Sequence, residues 1–349
     1  MESFSLKTVR DAWSDCGRGE GSSRLEPAIH IGDNTEIGLG SERAHCPARV
    51  IMKPKANEAE RMAEHDQTEW PEVIRQFLVE EEPHYVPVEN ECGFFRSAFE
   101  KNIPLLLKGP TGCGKTRFVE RMAWEMELPL ITVSCHEDLS AADLVGRYLF
   151  KDNQTVWEDG PLTLAVRHGG ICYLDEIVEA RNDTSVIIHS LTDHRRLLYI
   201  DKIQEVVRAH PDFMMVLSYN PGYQNVRKDL KESTKQRFSA LSFDYPPENL
   251  EARIVAEEAG IELDDARTLA RVGEKIRNLK GYGLNEGAST RLLVYAGMLM
   301  ASGLAPREAC RGAISDVVTD DEEIAESVED ILDLFYPAPV EETEVASPE

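Results

Sequence analysis

The chain has 349 residues, of which 42% are hydrophobic, and its formal net charge at pH 7 is −25. This length predicts two packed units plus extensions, and the acidic balance argues against a protein that binds nucleic-acid backbones, since such binding relies on clustered Lys and Arg. A basic channel enclosed by an acidic oligomer is the alternative that this balance leaves open. No apolar run approaches the ~20 residues of a membrane span. The first residues also lack a secretory-signal pattern, so we expect a cytoplasmic protein.

Residues 1–82 predict a largely irregular N-terminal extension, because no period of 2 or 3.6 is sustained there. A short helix is predicted near 70–82, where Val73, Ile74, Phe77 and Leu78 fall on one face. Docking of this face on the core is favoured over docking on a partner. The seven cysteines are scattered and form no C-x-x-C pair, which indicates reduced thiols rather than a disulfide framework.

Residues 83–246 predict an α/β domain. Apolar, partly β-branched runs alternate with helical patterns, which is typical of a parallel sheet covered on both faces. The predicted strands are 103–107, 130–134, 170–174, 213–218 and 240–243. The fold class is therefore α/β with a five-stranded parallel sheet.

A phosphate-binding pattern, G-x-x-x-x-G-K-[ST], lies between the first strand and the next helix. Its residues are Gly109, Pro110, Thr111, Gly112, Cys113, Gly114, Lys115 and Thr116. The glycines allow a tight turn that points backbone N–H groups at an anion, and the helix N-terminus adds its dipole. Lys115 is expected to reach the β- and γ-phosphates, and the Thr116 hydroxyl to bind Mg²⁺. A chance Gly-rich turn is the alternative to this interpretation as an ATP site.

Polar residues follow the third and fourth predicted strands. Asp175 and Glu176 end the third strand, and Asn220 follows the fourth. Asp175 is expected to hold Mg²⁺, directly or through water, while Glu176 polarises the attacking water. Asn220 could orient that water and sense the γ-phosphate. The alternatives are a solvated Asp-Glu pair and an ordinary Asn-Pro turn.

Arg237 stands just before the fifth predicted strand. At this position it would face the nucleotide of a neighbouring subunit in a ring, where an arginine finger stabilises the charge of the transition state. A solvated arginine favoured by the helix dipole is the alternative.

Residues 247–335 predict a helical lid domain with helices at 250–259, 264–278, 289–302 and 305–318. Thr319 and Glu322 form a capping-box pattern that opens one more helix. Arg291, in the first turn of a predicted helix, is expected to lie over the phosphates. The acidic stretch 336–349 is predicted to be disordered.

The order of these motifs resembles the AAA+ ATPases, and two stretches, DLVGRY at 143–148 and VWEDGPL at 156–162, resemble their MoxR branch. Residues from about 82 to 311 are more narrowly similar to the CbbQ/NirQ/NorQ/GvpN family. The stretches that carry this resemblance are GPTGCGKTRFVERMAWE, ICYLDEIVEARNDT, LTDHRR, SYNPGYQ and STKQRFSALSFDYP. The first ~80 residues and the acidic tail lie outside this resemblance, so no role carries over to them.

The resemblance implies a ring of identical subunits, hexameric in our interpretation, that binds Mg-ATP between subunits. It further implies a von Willebrand factor A-domain adaptor protein and a client enzyme that the ATPase remodels. Rubisco is the preferred client, as for CbbQ-like members, and nitric oxide reductase is the client in NorQ/NirQ-like ones. Three further functions stay open: gas-vesicle assembly, as for GvpN-like members, motor action on nucleic acid, and metal insertion as a chelatase subunit.

Two hairpin inserts are also expected, near 144–161 from the resemblance and near 196–208 from alternation around a turn. Their aromatic and apolar side chains either touch the client or adaptor or pack beneath the insert. The candidates are Tyr148, Leu149, Phe150 and Trp157. The basic run His194-Arg195-Arg196 lines a pore or subunit interface in one interpretation and forms a solvated hairpin base in the other.

Overall fold

The computed structural model describes residues 70–221, 230–284 and 286–337. The predicted irregular stretch 1–69, residues 222–224 of the SYNPGYQ stretch and the tail from 338 lie outside these ranges. Within them, no helix has the length and apolar character needed to cross a bilayer.

The described part of the chain begins with a single helical turn, α1 (Glu72–Arg75), and a longer helix, α2 (Glu91–Glu100). The prediction of a helix through 70–82 was therefore wrong in extent. The carbonyl of Phe77 accepts a hydrogen bond from the Leu130 amide at 2.8 Å, so this backbone pairs with the start of a sheet strand instead of continuing the helix. Docking on the core is as predicted, because Ile74 is fully buried there.

The α/β region carries the five predicted parallel strands. In chain order its elements are β1 (Leu105–Lys108), α3 (Lys115–Glu125), β2 (Leu130–Ser134), α4 (Ala141–Val145), β3 (Gly146–Lys151), β4 (Gln154–Asp159), α5 (Pro161–His168), β5 (Gly170–Asp175), α6 (Asn182–Leu191), β6 (Leu197–Ile200), β7 (Glu205–Arg208), β8 (Phe213–Tyr219), α7 (Glu232–Lys235) and β9 (Ser239–Ser242). The strand order in the sheet is β2-β5-β8-β1-β9. All of these pairs are parallel, which confirms the predicted sheet.

Alternate side chains of each strand enter two separate apolar layers, as expected for a sheet covered on both faces. In β1, Leu106 points into one layer, and Leu105 and Leu107 point into the other. In β5, Cys172 and Tyr173 divide in the same way. The carboxyl ends of β1, β5 and β8 consequently meet at one edge, where the predicted site residues follow them.

Two antiparallel hairpins project from this region, β3–β4 and β6–β7. One guanidinium joins both to α5. Arg167 donates from Nε to Asp159, at the end of β4, at 2.8 Å, and from both terminal nitrogens to Glu205, at the start of β7, at 2.6 Å. The Tyr148 hydroxyl donates across to the carbonyl of Lys202 at 3.2 Å. The hairpins are thus held to each other as well as to the helix.

A helical region follows β9. Its elements are α8 (Glu248–Ala259), α9 (Leu263–Arg277), α10 (Thr290–Ala301), α11 (Pro306–Cys310), a π-helical turn (Arg311–Ser315), α12 (Asp316–Val318) and α13 (Glu322–Phe335). The predicted helix at 305–318 is present, with the π-helical turn in its middle. Asp321, and not Thr319, caps α13, since the Asp321 carboxylate accepts from the amides of Glu323 and Ile324.

A buried ion pair organises the start of this region. Glu251 of α8 is 1% exposed, and its carboxylate accepts hydrogen bonds from both terminal nitrogens of Arg277, at 2.8 and 2.6 Å. The Thr290 hydroxyl donates to the same carboxylate at 2.6 Å, and Arg277 Nε donates to the carbonyl of Ala288 at 2.7 Å. The ion pair therefore ties together α8, α9 and the loop that leads into α10.

Candidate nucleotide-binding site

The segment Gly109–Thr116 forms the turn that its sequence predicts. Gly112 and Gly114 have φ angles of 68° and 97°, in the left-handed region that favours glycine, and α3 begins directly afterwards at Lys115. Lys115 is buried, and its Nζ donates to the carbonyls of Gly109 and Pro110 at 2.8 and 2.9 Å. Its ammonium therefore lies within the turn, beside the backbone amides at the N-terminus of α3.

Two of the glycines are also required by close approach. A Cβ on Gly109 would lie 2.5 Å from the carbonyl oxygen of Phe243, and one on Gly112 would lie 2.7 Å from Cβ of Ser289. Ser289 caps α10, so the helical region rests directly on the phosphate-binding turn. Burial raises the pKa of Cys113 in the same turn, which keeps its thiol protonated.

Asp175, at the end of β5, is held by hydroxyl groups. The Tyr173 hydroxyl donates to Asp175 Oδ1 at 2.7 Å, and the Ser218 hydroxyl donates to the same oxygen. The Tyr173 oxygen also lies 3.4 Å from the Thr116 hydroxyl, which brings Thr116 and Asp175 to the two sides of one phenol. A hydroxyl and a carboxylate are the hard oxygen ligands that Mg²⁺ prefers, so these two residues fit the ion.

Tyr173 and Ser218 were not among the predicted site residues. Both lie inside apolar strand runs, where a polar group needs a hydrogen-bond partner when it is buried. That signal was present in the sequence. It could have indicated that the hydroxyls of β5 and β8 face the acidic group at the end of the same strands.

Glu176 adopts a left-handed conformation at φ 54°, which turns the chain sharply after β5. Its amide donates to the Ser218 hydroxyl at 3.1 Å. Burial raises the pKa of the Glu176 carboxyl, and the Asp175 charge adds to this, whereas the Lys115 ammonium and a hydrogen bond from the Asn220 backbone oppose it. A carboxylate in this setting is a base of more than ordinary strength for glutamate.

Asn220 follows β8 and is almost completely buried. Its side-chain Nδ2 donates to Glu286 Oε1 and lies 3.4 Å from the Thr111 hydroxyl. Asn220 thus contacts Glu176 through its backbone, the phosphate-binding turn through Thr111, and the helical region through Glu286. Glu286 carried no pattern in the sequence, since it is a single acidic residue between two helices.

A cavity of about 940 Å³ is lined by Thr111–Thr116, Asp175 and Glu176, whereas Asn220 lines a neighbouring cleft. The volume of this cavity suits a bound nucleotide. Arg291, from the first turn of α10, also lines this cavity. Apolar side chains from both regions of the chain complete the described wall. They include Val86, Phe94, Ile254 and Met298.

The cavity wall, as far as described residues form it, does not include Arg237. Arg237 follows α7, where its terminal nitrogen donates to the Ser233 carbonyl at 2.6 Å. Its Nε is buried with no hydrogen-bond partner among the described residues. The nearby His189 bonds to Thr234 at 2.8 Å, and burial together with the Arg237 charge lowers the pKa of this histidine.

The hairpin candidates divide between the two interpretations. Phe150 is 74% exposed and Tyr148 is 49% exposed, whereas Trp157 packs against the core and donates to Asp159 at 2.7 Å. In the second hairpin, Arg196 donates to the carbonyls of His210 and Phe213, both at 2.9 Å. Arg196 therefore fastens the base of its hairpin.

Family comparisons place these features in two matched regions. Residues 104–238 match an AAA domain of the dynein-related subfamily, and residues 251–335 match the CbbQ/NirQ/NorQ C-terminal domain. The chain is 58% identical to protein CbbQ of Hydrogenophilus thermoluteolus, over 71% of this chain and 93% of that protein.

Two further relatives are similarly close. The chain is 53% identical to protein NorQ of Paracoccus denitrificans, over 73% of this chain and 94% of NorQ. It is 51% identical to the denitrification regulatory protein NirQ of Stutzerimonas stutzeri, over 73% of this chain and 92% of NirQ. All three matches leave about a quarter of the chain uncovered.

Proposed function

This chain belongs to the CbbQ/NirQ/NorQ family of MoxR-type AAA+ ATPases, and we propose on that basis that it couples ATP hydrolysis to the remodelling of a client enzyme in the cytoplasm. The observation that carries the chemical part is the meeting of the phosphate-binding turn, Asp175, Glu176 and Asn220 at one edge of the sheet.

In the proposed reaction, the amides of the turn and the Lys115 ammonium bind the β- and γ-phosphates of ATP. Thr116 and Asp175 would hold Mg²⁺, which would supply charge neutralisation at the phosphates. The Glu176 carboxylate polarises a water for in-line attack on the γ-phosphorus, and its raised pKa suits it to take up a proton. Asn220 orients that water from the adjacent strand.

Arg237 is assigned to the site of the neighbouring subunit. Its place outside the cavity of its own chain, together with a buried Nε that has no partner among the described residues, supports action across an interface. A ring of identical subunits, hexameric in our proposal, places one Arg237 at every ATP. The guanidinium stabilises charge that develops on the γ-phosphoryl group.

Arg291 couples the loss of the γ-phosphate to a movement of the helical region. It belongs to the helical region, and it lines the same cavity as the phosphate-binding turn. Loss of the γ-phosphate removes charge that Arg291 attracts, so the helical region shifts against the sheet during the cycle. This shift is the step that we couple to work on the client, through a von Willebrand factor A-domain adaptor protein.

Rubisco is the client that we favour, since CbbQ is 58% identical to this chain. Maturation of nitric oxide reductase is the second candidate, because NorQ and NirQ are 53% and 51% identical over a similar length. Both candidates use the same ATPase cycle, so only the client distinguishes them.

Reconstitution tests the choice. The chain and its adaptor are mixed with rubisco blocked by a sugar phosphate, and carboxylation is followed after ATP is added. We expect activity to return with the native chain and not with a Lys115→Ala variant, which serves as the control. If rubisco stays blocked while inactive nitric oxide reductase is activated in a parallel assay, the second candidate replaces the first.

A further inference from the structure

The helical region places a negative charge against the catalytic edge of the sheet, as well as the positive charge of Arg291. Glu286 lies in the loop between α9 and α10, and its Oε1 accepts a hydrogen bond from Asn220 Nδ2. We propose that Glu286 is a positioning residue for ATP hydrolysis, which fixes the orientation of the Asn220 amide and makes it depend on the position of the helical region. This inference rests on the proposed role of Asn220 in the hydrolysis of ATP.

The chemistry of the two groups sets the orientation of the amide. A carboxylate can only accept hydrogen bonds, whereas a primary amide donates through nitrogen and accepts through oxygen. Glu286 therefore holds Nδ2 of Asn220 on its own side and turns Oδ1 away from it. Without the carboxylate, the amide can rotate by half a turn, which exchanges a donor for an acceptor at the position next to the attacking water.

The loop that presents Glu286 is firmly held. A Cβ on Gly287 would lie 2.6 Å from Cγ of Arg277, so the backbone is pressed against that side chain. Arg277 Nε donates to the carbonyl of Ala288, and the guanidinium is paired with the buried Glu251. Because the backbone is fixed directly after Glu286, the carboxylate moves when the helical region moves.

The arrangement also connects to the phosphate-binding turn. The guanidinium of Arg277 stacks 3.9 Å from the ring centre of Tyr245, and the Tyr245 hydroxyl donates to the carbonyl of Thr111 at 3.2 Å. Thr111 is also the residue whose hydroxyl lies near Asn220 Nδ2. Tyr245, in the segment before α8, thus contacts Thr111, while Glu286 of the helical region supplies the carboxylate that bonds to the Asn220 amide.

The experiment measures basal ATP hydrolysis by the full chain, with neither client nor adaptor present. A Glu286→Ala variant is expected to lose about ten- to hundredfold in kcat, as for removal of a charge-assisted hydrogen bond, with KM changed less than about twofold. Glu286→Gln can accept from Asn220 but can also donate to its Oδ1, so it no longer fixes the amide orientation and should recover only part of the loss. Glu274→Ala is the matched control, since it removes another carboxylate that lines the same cleft as Glu286.

A double-mutant cycle separates this role from a general structural one. If Glu286 acts through Asn220, the Asn220→Ala, Glu286→Ala double variant should hydrolyse ATP at the rate of Asn220→Ala alone. Multiplying losses, or a Glu286→Ala rate equal to that of Glu274→Ala, would overturn the proposal. An error about the client would leave all these rates unchanged, whereas hydrolysis by Lys115→Ala would refute the proposed function itself.

Discussion

Two arginines are assigned to the same phosphate charge, and their surroundings differ. Arg291 lies in the first turn of α10 and lines the cavity of its own chain. Arg237 lies before β9, outside that cavity, and bonds to the backbone of its own short helix. Of these two arginines, only Arg291 therefore reaches the described cavity of its own chain. The difference separates what a subunit does alone from what our proposal assigns to its neighbour.

The largest effect that would test this comparison is expected at Arg237. Arg237→Ala should lower ATP turnover by about 10³-fold or more, the range of an arginine finger, while a single subunit still binds nucleotide. Turnover is measured by phosphate release and binding by a fluorescent nucleotide. Mixing this variant with Lys115→Ala should restore activity at mixed interfaces. If Arg237→Ala hydrolyses ATP at the native rate, the action across subunits is refuted.

A Glu176→Gln substitution is expected to have the next largest effect. Removal of the base should reduce turnover by about 10²- to 10⁴-fold, because proton transfer in the transition state is lost. Binding of ATP should persist, since the phosphate-binding turn is unchanged. Equilibrium binding and single-turnover hydrolysis measured on the same preparation check both statements. Retained turnover would remove Glu176 from its assigned role.

Arg277→Ala should destabilise the helical region that carries Arg291 and leave the segment that carries Arg237 unchanged. The substitution removes the ion-pair partner of the buried Glu251 carboxylate, and loss of one partner of a buried pair costs about 3–5 kcal/mol of unfolding free energy. Urea denaturation measures the loss. Arg271→Ala is the matched control, because its pair with Glu248 is exposed and should contribute only about 0–1 kcal/mol. Equal losses in the two variants would contradict the buried pair as the anchor of α10.

The pH dependence gives the smallest effect. In the proposed reaction Glu176 acts as the carboxylate, and burial raises the pKa of this group. Turnover should therefore fall on acidification, by at most about tenfold per pH unit, and should begin to fall at a higher pH than an ordinary glutamate would give. A pH profile of kcat measures this, and the residual activity of Glu176→Gln should lack the acidic limb.

The sheet and the phosphate-binding turn could be predicted from the sequence because both depend on local patterns. Strand β5, for example, contains the predicted stretch 170–174, which is buried along its whole length, since a buried parallel strand is a continuous apolar run. The helix predicted over 70–82 failed because its backbone pairs with Leu130, a residue distant in the chain. Pairing with a residue distant in the chain does not change the hydrophobic periodicity of the local sequence, so periodicity could not predict it.

The residues of the candidate site also fall into those that local sequence patterns predict and those that depend on tertiary packing. Residues that follow strands, such as Asp175 and Asn220, could be placed from strand order alone. Glu286 could not, because its position depends on how the loop before α10 packs on Arg277. The cap of α13 shows the same limit on a smaller scale, since Thr319 and Asp321 are both suitable residues and only the backbone decides between them.

The bonds of Arg167 have a mechanical consequence. One guanidinium holds the ends of both hairpins to α5, and α5 runs directly into β5, the strand that ends in Asp175. Neither hairpin can move relative to the other or to α5 without breaking these bonds. The exposed ring of Phe150, on the first hairpin, is therefore tied through Arg167 to the helix that precedes β5.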